Sequence, residues 1–299
     1  MNRILVTQGN GSFQEEQFDA DLTPRSKEIC VRSVMTGICR SDIDMMVGEF
    51  GPLPKNMQGH EGLGQVMAVG KDVTDVAVGD YVATRGEPAY ADFYIARESE
   101  YVQVPEADPR YIVEPVACAI NLIEQNRSAL LLRQHAHSRL LLLGSGFLAN
   151  VTYQYLTKVI DSPYDITVIG SSNQDIWGTV LSQEYSGTFD VVIDLGSGMD
   201  VFEKDILNNE ALVIMGNQKS VSTDFAKLLW KSATMTFPSP RNRLFHQCMC
   251  DAVTLIQSGC IEVDRFWTKS YNRDSEWRQA FHDGLNRPRH YSRGYIQWH

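Results

Sequence analysis

Three side chains suited to holding a metal fall within one short, glycine-rich stretch of this 299-residue chain. Residues 36–80 open on Thr36-Gly37-Ile38-Cys39-Arg40-Ser41-Asp42, continue through Gly59-His60-Glu61-Gly62-Leu63-Gly64 and close on Val78-Gly79-Asp80. Cys39 offers a thiolate, His60 an imidazole and Glu61 a carboxylate. Zn²⁺ takes S, N and O ligands of these kinds, and a catalytic zinc uses three of them while keeping a fourth position open. Taken singly, Cys39 reads as a buried thiol and His60 as a loop histidine. Taken in order with Glu61, they read as a metal centre. His246, Cys248 and Cys250 form a weaker cluster, because residues two apart on a helix face different ways and chelate poorly. They read as core packing.

A second kind of chemistry lies further along. Arg139-Leu140-Leu141-Leu142-Leu143 is an apolar run typical of a parallel strand covered on both faces. Gly144-Ser145-Gly146-Phe147-Leu148-Ala149 follows at once, then a helical pattern through Val151, Tyr155, Leu156 and Val159. This is G-x-G-x-x-A between strand and helix, where glycines admit a pyrophosphate to the backbone and the helix N-terminus donates to it. Gly144, Ser145, Gly146, Phe147 and Leu148 are therefore candidate cofactor contacts. A second strand over 165–169 ends at Gly170-Ser171-Ser172-Asn173, which places Ser171 and Ser172 where the ribose would lie. An acid there would bond a ribose 2′-OH and repel a 2′-phosphate. None occurs before Asp175, which favours NADP over NAD; the lack of a nearby arginine counts the other way.

The elements that must position these groups change character along the chain. Residues 1–35 read as short strands, with Asn10-Gly11-Ser12 as a hairpin signal and 28–34 alternating as a half-buried strand does. Further strands are expected at 66–69, 81–84, 90–95 and 101–105. From Tyr111 the pattern turns helical, with Pro115 in a first turn where its missing N–H costs nothing. Strands at 139–143, 165–169, 189–194 and 211–216 then alternate with helices, as in a doubly wound α/β domain. The tail holds helices over 245–258 and 274–286, and strands at 266–271 and 295–298. The expected fold is thus α/β, with a β-rich catalytic domain over 1–117 and 266–299 and a nucleotide-binding domain over 118–265.

Composition sets limits on the rest. The 43% apolar and 21% charged content is that of an ordinary globular protein. A formal charge of −10 argues against sequence-independent nucleic-acid binding, which needs a cationic face. No apolar run is long enough to span a bilayer, and 1–6 reads as a strand start, not a signal peptide. Six scattered cysteines favour a reducing cytoplasm.

Together, Gly37-Ile38-Cys39-Arg40-Ser41-Asp42, the 59–64 run, Val78-Gly79-Asp80, Tyr90-Ala91-Asp92-Phe93, Glu114-Pro115 and Gly144-Ser145-Gly146 resemble the medium-chain, zinc-dependent alcohol and polyol dehydrogenases. The likeness covers nearly the whole chain. It implies a GroES-like catalytic domain joined to a Rossmann domain, and a hydride transfer between a nicotinamide and a polyol, sugar or secondary alcohol or ketone. By that resemblance Cys39 and His60 are zinc ligands, and Glu61 binds the metal directly or through water. By the same resemblance Glu114 is the remaining zinc ligand: it stands where simple alcohol dehydrogenases have a second cysteine and sorbitol- and glucose-type members have glutamate, which points toward sugar or polyol substrates. Asp42 orients His60, and Ser41 relays the substrate proton. The zinc is then expected in the cleft between the domains, facing the nicotinamide. Homodimers or homotetramers are implied too, paired through the edge of the nucleotide-domain sheet.

Three departures accompany the likeness. The four-cysteine lobe that holds a structural zinc is missing, so one zinc is expected. Asp44 replaces the histidine that often ends the proton relay, and a carboxylate there would be ionised at neutral pH. The interval 170–190 is too short for the usual helix, strand and helix, so the nucleotide domain reads as shortened. These departures leave room for a non-catalytic member that binds nucleotide only. A zinc-independent, quinone-reductase-type enzyme on the same scaffold is a further alternative, against which the intact Cys39, His60 and Glu61 set counts.

Overall fold

The computed structural model describes residues 2–49, 54–182, 184–196, 205–216 and 225–298. The elements of the first stretch are β1 (Arg3–Thr7), β2 (Phe13–Gln17), β3 (Glu28–Gly37), α1 (Arg40–Met46), β4 (Gly62–Val69), β5 (Tyr81–Thr84), β6 (Phe93–Arg97) and β7 (Tyr101–Val104). The middle contributes α2 (Glu114–Glu124), α3 (Arg127–Leu131), β8 (Arg139–Leu143), α4 (Phe147–Gln154), β9 (Asp165–Ile169), α5 (Gln174–Trp177), β10 (Leu181–Ser182), β11 (Phe189–Asp194), β12 (Leu207–Met215), α6 (Phe225–Trp230), β13 (Thr234–Thr236) and α7 (Phe245–Gln257). The chain closes with β14 (Trp267–Asn272), α8 (Trp277–Asn286) and β15 (Arg293–Gln297).

Two compact units result. One comprises Met1–Pro115, Met249–Gln257 and Glu262–His299; the other comprises Val116–Cys248 and Ser258–Ile261. The first is built on β3, a ten-residue strand that pairs antiparallel with β4, β6 and β15. Its sheet runs β14-β15-β3-β4-β5-β7, with β6 also on β3. β1 and β2 form a separate antiparallel hairpin around the turn that Asn10-Gly11-Ser12 announces. One apolar cluster joins Leu5, Phe13, Ile38, Ile43, Met46, Tyr90, Phe281 and Trp298. Phe13 stacks on Phe281 at 3.7 Å, and Tyr90 meets both rings edge-on. Apolar residues spaced along α1 and α8 thereby fix α1, the helix that follows Cys39.

The second unit is a parallel sheet ordered β10-β9-β8-β11-β12-β13. Counted within that unit the order is 3-2-1-4-5-6, the doubly wound arrangement of dinucleotide-binding domains. Leu140 to Leu143 and Val191 to Ile193 are fully buried, as strands covered on both faces require. The shortening expected from the sequence falls on the crossovers and spares the sheet. Between Gly170 and β11 the described residues form the four-residue α5, a single 3-10 turn over Gly178–Val180 and the two-residue β10, with no further α-helix. No helix among the described residues is long and apolar enough to cross a membrane.

Candidate metal centre

Cys39 sits at the N-cap of α1, in extended conformation, and its backbone N–H donates to Asp42 Oδ2 at 2.8 Å. One hydrogen bond thus starts the helix and fixes the thiol. His60 and Glu61 occupy the turn that leads into β4. Gly59 before them has φ +77°, and a Cβ on it would lie 2.6 Å from the Tyr90 ring, so only glycine serves there. Tyr90 in turn donates its hydroxyl to Asp42 Oδ2 at 2.8 Å and reaches the Gly37 carbonyl at 3.2 Å. The aromatic core and the site are therefore tied through one ring.

This local folding brings the ligand atoms of Cys39, His60 and Glu61 within 4.8 Å of one another. Asp42 and Glu61 are 0% exposed, yet Asp42 Oδ1 and Glu61 Oε1 are buried without a hydrogen-bond partner. A buried carboxylate oxygen left in that state is costly, and such exceptions commonly mark an ion or a functional group. The S, N and O donor set, together with these two oxygens, fits a zinc ion. Asp42 Oδ1 lies 3.6 Å from His60 Nδ1, an ion-pair distance too long for a hydrogen bond. Burial works against a charged His60, but Asp42, Cys39 and Glu114 outweigh it and hold the imidazole well above its ordinary value. Burial, reinforced by Glu61, pushes the Cys39 thiol up; His60 opposes this.

The other candidates are placed as follows. Glu114, 3% exposed, is the first residue of α2 and lies outside the mutual 4.8 Å set, although its charge acts on His60. Ser41 is half-buried in the first turn of α1. Asp44, two residues from Asp42 and so on another face of the helix, accepts from Arg40 Nε at 2.7 Å. Sequence reasoning missed Arg293. Its side chain, 12% exposed, forms an ion pair with Glu61 Oε2 from the start of β15. Nothing in local spacing announces a contact between residues 232 positions apart; only the rule that a buried carboxylate needs a cation could have prompted a search.

In the second unit Gly144 has φ +128° and donates its N–H to the Ile169 carbonyl at 2.7 Å. Gly146 caps α4, and a Cβ on it would meet nothing within 4 Å, so a ligand can approach the backbone there. The turn is braced from the end of β9. Ser172 bonds the Ser145 hydroxyl through its own hydroxyl and its N–H, both at 2.9 Å. Asn173 and Trp177 donate to the Ser145 carbonyl, also at 2.9 Å. Phe147 is buried, Leu148 half-buried and Ser171 exposed. An open glycine at a helix N-terminus fits a dinucleotide pyrophosphate.

The alcohol dehydrogenase GroES-like domain matches residues 25–108. An alcohol dehydrogenase of Moraxella sp. (strain TAE123) is 40% identical over 84 residues, which cover 27% of this chain and 25% of that protein. A D-arabitol-phosphate dehydrogenase of Enterococcus avium is 22% identical over 311 residues, covering 85% of this chain and 86% of its own. Similarity of fold extends over the whole length: TarJ of S. aureus in complex with NADPH superposes with a TM-score of 0.77 at 17% identity, covering 100% of this chain and 99% of that one. Residues 25–108 are thus similar to the GroES-like domain of alcohol dehydrogenases, and the whole chain has the fold of solved structures such as TarJ. The GroES-like match falls in the unit that holds Cys39, His60 and Glu61, and the other unit carries a Rossmann-like parallel sheet. The Moraxella match spans only a quarter of its partner, so the stronger sequence similarity is confined to one domain, whereas similarity of fold covers the whole chain.

Proposed function

We propose that this protein is a zinc-dependent, NAD(P)-dependent oxidoreductase that interconverts a polyol, sugar or secondary alcohol with its carbonyl product. The observation that carries the reading is the convergence of the Cys39, His60 and Glu61 ligand atoms within 4.8 Å of one another, with Glu61 Oε1 buried and without a hydrogen-bond partner. When bound, zinc supplies Lewis acidity toward the substrate oxygen and the nicotinamide supplies the hydride acceptor.

The chain's own residues do the rest. Cys39, His60 and Glu61 hold the metal, and Glu114 adds a buried carboxylate beside them that favours a hydroxyl-rich substrate. Asp42, fixed by Tyr90 and the Cys39 N–H, keeps His60 in orientation. Ser41 takes the substrate's hydroxyl proton, and Asp44, paired with Arg40, forms the acidic end of the relay. Gly144, Ser145, Gly146, Phe147 and Leu148 bind the pyrophosphate, while Ser171 and Ser172 flank the adenosine ribose. With no acid among 170–174, that end tolerates a 2′-phosphate, so NADP is the preferred cofactor. Assembly as a homodimer or homotetramer through an edge of the parallel sheet belongs to the same reading, and sedimentation checks it.

Metal analysis of the purified chain tests the proposal. One zinc per chain, abolished by Cys39→Ser, supports it; a folded, zinc-free chain overturns it. Thermal-shift titration with NADP and NAD then ranks the cofactors, and a shift by neither would leave a non-catalytic member. A screen of polyols, sugars and secondary alcohols names the substrate.

A further inference from the structure

We infer that Arg293 and Gly37 are positioning residues that restrict Glu61 to a single metal-facing oxygen and so keep one coordination position open for substrate. The inference rests on the zinc reading above and deepens it.

Glu61 is fully buried, and its two oxygens are in different states. Oε2 accepts from Arg293 Nη2, whereas Oε1 has no hydrogen-bond partner. The geometry that produces this asymmetry is set by backbone. Gly37, the last residue of β3, donates its N–H to the Glu61 carbonyl at 2.9 Å. Gly37 also pairs with Tyr295 of β15, and Ile38 donates to the Gly294 carbonyl at 3.1 Å. Gly37, Glu61 and Arg293 are therefore drawn to one point by three strands' worth of main-chain bonds. A Cβ on Gly37 would fall on Glu61 Oε2 and stand 3.1 Å from Glu61 Cβ. The glycine is needed for space, since its φ lies outside the left-handed region. The Arg293 guanidinium also lies over the Trp267 ring, 4.9 Å from its centre, which limits its freedom to follow the carboxylate.

The chemical consequence follows from how carboxylates bind metals. A free carboxylate can bind through one oxygen or chelate through both. With Oε2 held by a charge-assisted bond, Glu61 offers Oε1 alone. Three protein donors then leave a fourth position, as a catalytic zinc site requires. Releasing Oε2 would let Glu61 chelate and fill that position from within the protein.

The test uses the full chain with Co²⁺ exchanged for zinc, and reads the visible d–d bands during titration with azide, a small exogenous ligand. In the wild type, azide shifts the bands. In Arg293→Gln, one cobalt per chain is retained while the apparent azide affinity falls at least about tenfold, in the range that outer-shell partners command. Arg293→Lys, which keeps the charge but loses the fork, recovers part of that loss. Gly37→Ala displaces Oε2 by steric contact with Arg293 intact and moves the bands in the same direction. Wild-type azide affinity in Arg293→Gln or Gly37→Ala with cobalt retained overturns the inference. Loss of cobalt from both variants also overturns it, because the pair would then be holding the site together instead of tuning it. A wild type that takes up neither cobalt nor zinc fails at the metal reading itself, a result distinct from either.

Discussion

Two buried carboxylates of the same unit show how differently the fold treats structure and function. Asp283, 4% exposed on α8, is fully engaged: Lys269 and Tyr271 donate to Oδ2 at 2.5 and 2.7 Å, and Gln279 donates to Oδ1 at 2.6 Å. It staples α8 to β14. Glu61, more deeply buried, has one cation on one oxygen and nothing on the other. A stabilising carboxylate takes all the donors it can, whereas one awaiting a ligand keeps an oxygen back. The difference between satisfaction and deficit separates a staple from a site more cleanly than burial or charge does.

The largest test of that comparison removes a ligand. Cys39→Ser is expected to reduce zinc from one per chain to a trace, and turnover by more than the about 100-fold typical of outer-shell losses. Asp283→Asn should leave the zinc stoichiometry unchanged. Elemental analysis of both variants in parallel checks this. Equal metal loss in the two would mean that the metal responds to general loosening of the unit.

Stability should invert the usual expectation that the better-satisfied group matters more. Glu61→Gln strands the buried Arg293 charge, and breaking a buried pair in this way costs about 3 kcal/mol. Asp283→Asn leaves Lys269, whose side chain is 47% exposed, free to return to water, for about 1 kcal/mol. Urea unfolding of the metal-free proteins measures both. A larger loss at Asp283 would show that Arg293 finds another partner.

Acid separates the two regions further. Burial disfavours an ionised Asp283, but Lys269, Tyr271 and Gln279 outweigh it and bring the carboxyl down to about 2 from an ordinary 3.8. A depressed folded-state value means stability present above pH 4 and lost as pH falls toward 2. The loss is about 1–2 kcal/mol once exchange with solvent is allowed for. Asp283→Asn should flatten this limb of the stability profile; an unchanged limb would place the acid sensitivity elsewhere.

How much was legible in the sequence follows from what each region is made of. The metal centre is made of side-chain identities held by short-range turns. Cys39, His60 and Glu61 lie in one short stretch, so residue type and order single them out, whereas Asp42 enters by resemblance. Arg293 arrives through the pairing of β15 with β3, a long-range register that no local pattern records. Glu114 comes to notice by resemblance; it lies outside the set of three whose ligand atoms are mutually within 4.8 Å, although its charge acts on His60. The nucleotide turn is the reverse case. Gly144 and Gly146 stood out because a dinucleotide is bound there by backbone, but the brace formed by Ser145, Ser172, Asn173 and Trp177 depends on a loop whose course the sequence leaves open. The shortened crossovers were visible as missing length. That the six-strand order survives them was not, because strand order is fixed by packing between elements.

The smallest expected effect is the one that best defines the limits of the site. Asp42 and Asp44 are neighbours on α1, both buried and both acidic, but helical geometry sends them apart. Asp42 faces His60, while Asp44 is held by Arg40 at 2.7 Å. A carboxylate whose oxygen already accepts from a guanidinium has that acceptor position occupied, so as the end of a proton relay it contributes little beyond keeping the path polar. Asp44→Asn should therefore lower kcat only about threefold, against about tenfold or more for Ser41→Ala, which removes the hydroxyl that receives the proton. Arg40, 48% exposed on its side chain, remains hydrated in Asp44→Asn, so stability should hardly change. The pH dependence of kcat gives the discriminating measurement. A loss at Asp44 equal to that at Ser41, with the alkaline limb displaced, would make the aspartate the principal proton acceptor and would extend the functional surface of α1 from one face to two.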